Sequence, residues 1–100
     1  MAIKITKIWM TDCKPCNLVE GYLDELKQDF DFEVESHNVT AEAFQERKKA
    51  KQTLAKYGTI KVPLLIVSVD GEDVASVYKE HVGEDTPQYK VKLEEILKGL

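Results

Sequence analysis

The hydrophobic pattern of this chain switches repeatedly between a two-residue period and a helical one, and that alternation leaves few folds open. Residues 3–10 alternate, are rich in isoleucine and end at Trp9 and Met10, which reads as a strand. Residues 14–28 carry Leu18, Tyr22 and Leu26 four apart, with Val19 and Leu23 beside them, so the spacing predicts a helix with one apolar face. Pro15 suits its first turn, where a missing N–H costs nothing, while Gly21 weakens it. Residues 32–39 alternate again, as a second strand, and Thr40 is a fitting N-cap for a helix over 41–57. Residues 64–69 form a nearly continuous apolar run, the pattern of a strand covered on both faces. Asp70-Gly71 matches a two-residue hairpin turn, whose central positions both need positive φ. Residues 73–79 then pair back as a fourth strand. Asp85 or Thr86 caps a last helix, with Pro87 in its first turn and an apolar face of Tyr89, Leu93, Ile96, Leu97 and Leu100.

The order β-α-β-α-β-β-α predicts an α/β fold built on a four-stranded mixed sheet. The first strand–helix–strand unit is a parallel crossover, the hairpin is antiparallel, and helices cover both faces. With 100 residues and no repeat or linker, residues 1–100 read as one domain. A net charge of −4, with acidic and basic residues mixed along the chain, argues against a general nucleic-acid binder. The basic run Arg47-Lys48-Lys49-Ala50-Lys51 reads as a solvated helix face. No apolar run is long enough to span a membrane. Lysines inside residues 1–10 leave no continuous signal-peptide core, so the expected compartment is the cytoplasm.

The chain has 2 cysteines, spaced as Cys13-Lys14-Pro15-Cys16 where a strand ends and a helix begins. In a reducing compartment such a pair is redox-active or metal-binding rather than a structural staple. The unpartnered N–H groups and positive dipole of a helix N-terminus favour thiolate over thiol. The spacing lets both sulfurs meet on one helical turn. Cys13 is then the outer, attacking sulfur and Cys16 the inner, resolving one. Zinc needs about four ligands, and the remaining candidates, His37 and His81, lie far apart in sequence. No metal and no organic cofactor is expected.

Here the chain resembles the thioredoxin family over nearly its whole length. The strand, C-x-x-C and helix order is shared, and Pro15 stands where thioredoxins also place proline. Trp9, four residues before Cys13, matches a tryptophan of the family. Tyr57-Gly58-Thr59-Ile60-Lys61-Val62-Pro63 resembles the segment that leads to the family's cis-proline. Asp70-Gly71-Glu72 and Val82-Gly83 match its hairpin and the glycine near its site. The resemblance implies a thioredoxin fold and a cis Val62–Pro63 peptide facing Cys13. It also implies a substrate-binding rim of Trp9, Asp12, Lys14, Pro15, Val62, Pro63 and Gly83. The chain departs from the family pattern at Asp12, usually tryptophan, at Lys14, usually glycine, and at Leu64, commonly threonine. Only twelve residues precede Cys13, so the extra N-terminal strand and helix of ordinary thioredoxins are not expected.

The activity implied is reduction of protein disulfides by a monomer that receives electrons from a thioredoxin-reductase-type donor. A glutaredoxin-like protein, dependent on glutathione or dedicated to one partner such as ribonucleotide reductase, is the nearest alternative. A non-catalytic binding module of the same fold is the third. Lys7 stands where thioredoxins carry a buried aspartate under the resolving cysteine, on the same strand face as Ile3, Ile5 and Trp9. The first expectation is that its stem packs there while the ammonium reaches water. The other reading has Lys7 reach under the motif, modulating the cysteines as a cation or as a neutral proton acceptor.

Overall fold

The computed structural model covers residues 1–100 and contains the strands β1 (Ile3–Trp9), β2 (Glu33–Asn38), β3 (Leu64–Val69) and β4 (Glu72–Val77). The helices are α1 (Lys14–Leu26), α2 (Phe44–Lys56), α3 (Lys79–Val82) and α4 (Gln88–Lys98). The strands form one mixed sheet in the order β2-β1-β3-β4. β1 runs parallel to β2 and antiparallel to β3, and β3 is antiparallel to β4. The order matches the alternation read from the sequence, with the single helical turn α3 as an addition.

Strand alternation sorts the core into two clusters. Ile5, Leu65, Val67 and Val77 face α1 and α4, where they meet Val19, Leu23, Leu26, Tyr89, Leu93 and Leu97. Ile8, Leu64 and Ile66 face the other way, toward Ala50 and Leu54 of α2. The nearly continuous apolar run 64–69 therefore has a direct cause: β3 is central and its successive side chains enter opposite clusters. Each fully buried Leu or Ile contributes roughly 1.5–3 kcal/mol through the water it sheds. The face under α2 turns polar away from Ile8. Lys4, Thr6, Glu35, His37, Ser68 and Asp73 line a cleft of about 190 Å³ there.

Four local expectations are corrected. Thr40 does not cap α2, which starts later, at Phe44, behind an uncapped Ala43. Its hydroxyl accepts from the Thr11 N–H at 2.9 Å and donates to Asn38 Oδ1 at 2.7 Å, so it is spent on joining two loops. Neither Asp85 nor Thr86 caps α4 by its side chain. Pro87 itself holds the cap position, after backbone turns in which the Asp85 and Thr86 carbonyls accept from Gln88 and Tyr89. β4 ends at Val77 rather than residue 79, because the chain bends at Tyr78 into α3. Leu18 and Leu100, assigned to apolar helix faces, are both exposed; α1 buries Cys16, Val19, Leu23 and Leu26 instead. The Asp70-Gly71 turn has φ of 51° and 86°, the positive values such a hairpin requires.

Candidate active site

Cys13 follows the end of β1 and is itself the N-cap of α1. The loop that delivers it is pinned by the Thr11–Thr40 contact and turns at Asp12, whose φ is 59°. An aspartate tolerates that left-handed geometry better than most residues do. The Cys16 N–H donates to Cys13 Sγ at 3.2 Å. This places the sulfur where a capping oxygen would ordinarily sit, against the open N–H groups and positive end of the helix. The two cysteines are joined as a disulfide, with Cα atoms 5.2 Å apart. Cys13 is 5 % exposed and Cys16 fully buried, so the order of access is the one expected from their positions on the turn.

The Val62–Pro63 peptide is cis. Two side chains hold the segment around it. The buried Tyr89 hydroxyl of α4 donates to the Pro63 carbonyl at 2.8 Å. Burial, and after it the Glu80 carboxylate, pushes the Tyr89 phenol up, so the group stays a donor. From the other end, Glu80 of α3 accepts from the Thr59 hydroxyl at 3.0 Å, and that hydroxyl accepts from the Lys61 N–H at 3.1 Å. None of the loop and turn hydrogen bonds engages the Val62 N–H or C=O. Ile60 stands almost fully exposed beside a groove of about 340 Å³ lined by Val39, Leu54, Ala55 and Thr59. Gly83 closes α3 with φ 59° and ψ −128°, a conformation open to glycine.

Lys7 is where the structure departs from the first expectation. Its side chain is only 2 % exposed, and its ammonium does not reach water. Nζ donates to the Cys16 carbonyl at 3.2 Å and pairs with the Glu20 carboxylate. The Trp9 ring centroid lies 5.6 Å from the same nitrogen. A buried ammonium is costly without partners, and Glu20, one turn beyond Cys16 on α1, supplies the counter-charge. Asp12 and Lys14 flank the pair as exposed residues, and Pro15 is half-buried in the first turn.

Three residues at the site escaped the sequence reading. Glu20 was legible in principle, since a residue four beyond Cys16 shares its helix face. Thr59 and Glu80 were not, because nothing in the local pattern joins a loop to a helical turn 21 residues away. Tyr89 was read only for its ring, and its hydroxyl turned out to hold the Pro63 carbonyl.

A dithiol pair capping a helix at the end of a central strand defines a class, the thiol–disulfide oxidoreductases. No family model matches the chain. It is 31% identical over 86 residues to a thioredoxin of Staphylococcus epidermidis, an alignment spanning 82% of this chain and 77% of that protein. A thioredoxin of Staphylococcus haemolyticus is 30% identical over the same length. Among solved structures, oxidized mitochondrial thioredoxin 3 of Saccharomyces cerevisiae superposes with a TM-score of 0.68 at 16% identity, covering 98% of this chain and 78% of that one. The reduced Schistosoma mansoni thioredoxin pre-protein gives 0.66 at 22% identity, with the same coverage. The chain belongs to the thioredoxin family, and it is a thiol–disulfide oxidoreductase whose C-x-x-C pair is Cys13 and Cys16.

Proposed function

We propose that Cys13 opens the disulfide of a protein substrate and that Cys16 completes the exchange. In the first step the Cys13 thiolate bonds to one substrate sulfur. The substrate S–S bond breaks, and the other sulfur leaves as a thiolate that takes a proton from water. In the second step Cys16, as thiolate, attacks Cys13 Sγ. The mixed disulfide breaks, the second substrate thiol departs, and the Cys13–Cys16 disulfide remains. Two electrons have passed to the substrate, and a thioredoxin-reductase-type donor returns them. Both sulfurs lie on one helix of one chain, so a single copy suffices. The reading carries a reducing compartment with it, because an electron-donating dithiol has to be kept reduced.

The observation that carries this order is the capping bond from the Cys16 N–H to Cys13 Sγ, which gives helix-terminal stabilisation to the outer sulfur. Substrate backbone is read at Val62, whose N–H and C=O are not used by loop or turn bonds and can pair with an extended segment as an added strand. Trp9, Pro63 and Gly83 complete the rim. The test is trapping. Cys16→Ser accumulates a mixed disulfide with a reducible protein such as insulin, and Cys13→Ser accumulates none. Equal trapping by both variants would overturn the assignment.

A further inference from the structure

We infer that Lys7 acts as a fixed cation beneath the resolving cysteine, stabilising the Cys16 thiolate as it attacks, and that Glu20 is the positioning residue that holds Lys7 there and tempers its charge. The inference rests on the reading that Cys16 resolves the mixed disulfide. Lys7 is a charged residue inside an otherwise apolar strand face, with Ile5 below it and Leu65 opposite it on β3. A chain that needed only packing at this place would carry an aliphatic residue, since desolvating an ammonium is expensive. The aliphatic stem enters from β1, and the head turns up to the Cys16 carbonyl.

An ammonium has three N–H donors and no lone pair. One donor goes to the Cys16 carbonyl and one to Glu20, leaving the third without a protein acceptor while both sulfurs are tied up as a disulfide. Reduction and ionisation then put a negative charge on Cys16, whose carbonyl already holds the ammonium. Paired with Glu20 and bonded to the Cys16 carbonyl, Lys7 offers the thiolate a fixed positive charge. The Cys16–SH proton passes to solvent. The sulfur left behind then forms its bond to Cys13 Sγ as the substrate thiolate departs.

Other charges around the site are engaged elsewhere or exposed. On β2, Ser36 stands opposite Lys7, and the neighbouring Glu35 and His37 lie on the other sheet face. On α4 the Tyr89 hydroxyl is given to Pro63, and on α3 Glu80 is bonded to Thr59. Asp12 and Lys14, beside Cys13, are exposed and opposite in sign.

The test isolates Cys16. In a Cys13→Ser background it is the chain's single thiol, and its ionisation is followed by thiolate ultraviolet absorbance and by alkylation rate across pH. Adding Lys7→Met, which keeps most of the stem, moves the Cys16 midpoint up by about one pH unit. Adding Glu20→Gln frees the ammonium of its counter-charge and moves the midpoint down. Opposite shifts support the inference, because a merely structural pair would not separate them by sign. Shifts in one direction, or none, overturn it. Glu20 lies on the helix surface, so if Lys7→Met fails to fold, an unmoved or raised midpoint in the Glu20→Gln variant still overturns the inference. Failure of the mixed-disulfide trapping would instead overturn the reading of the site, whatever the titrations give.

Discussion

The hydroxyl of Tyr89 on α4 donates to the carbonyl of Pro63 at 2.8 Å, tying the last helix of the chain to the segment beside the dithiol. The bond is buried, and neither group has water to fall back on. Tyr89→Phe keeps the ring and strands the carbonyl. It should cost about 1–3 kcal/mol, measured by urea unfolding. A loosened 59–63 segment should raise KM for a protein disulfide substrate more than it lowers kcat. Unchanged stability and KM would show that the carbonyl finds another partner.

Tyr57 and Asp73 make stability depend on pH at both extremes. The Tyr57 hydroxyl donates to Asp73 Oδ2 at 2.7 Å, joining the end of α2 to β4. That bond, helped by Ser68 and Lys56, holds the Asp73 carboxyl below its ordinary range. Its stabilising effect is full above the unfolded carboxylate pKa and is lost as pH falls through the lower folded value. Tyr57 is pushed up to about 12, by burial first and the Asp73 bond second. Its contribution is full below an ordinary phenol pKa of about 10 and is lost as pH rises through the folded value. Asp73 is 38% exposed, so the bond is worth only about 0.5–1 kcal/mol near neutral pH. Asp73→Asn should flatten the acid limb of unfolding midpoint against pH, and Tyr57→Phe should flatten both limbs.

Two glycines with equal room for a side chain should respond in opposite ways. A Cβ at Gly21 or at Gly83 would meet no heavy atom within 4 Å. Gly21 lies inside α1, where alanine is the better helix former, so Gly21→Ala should stabilise by about 0.5–1 kcal/mol. Gly83 sits at φ 59° and ψ −128°, so Gly83→Ala should destabilise by about 1–3 kcal/mol through backbone strain alone. Thermal unfolding of the two variants checks both signs.

Asp12 offers a charge beside the nucleophile at a rim that is otherwise partly apolar. Asp12→Asn keeps a residue that tolerates φ of 59°, so it removes charge without disturbing the turn. The side chain is exposed and its effect on Cys13 is screened. The substitution should change reduction rates between an acidic and a basic protein substrate by several-fold more than it changes the alkylation rate of Cys13. A changed alkylation rate with no change in preference would refute it.

The element order, the hairpin and the placing of Cys13 and Cys16 could be read from the chain because each rests on local physics. Periodicity separates a strand from a helix within a few residues, Asp70-Gly71 meets the φ demand of its own turn, and a C-x-x-C pair closes on one helical turn. What packing across the sheet decided is of another kind. Thr40 had every mark of a helix cap, and its hydroxyl went to Thr11 and Asn38, which only the closed sheet brings near. Leu18 fell on the predicted apolar face, yet no element covers that side of α1 and it stays exposed. Lys7 had a stem long enough to reach water. Its ammonium turned inward because α1 lies over it with the Cys16 carbonyl and Glu20 already in place. A side chain with several possible partners takes the set that satisfies its charge at least desolvation cost, and that set is assembled from residues far apart in the chain.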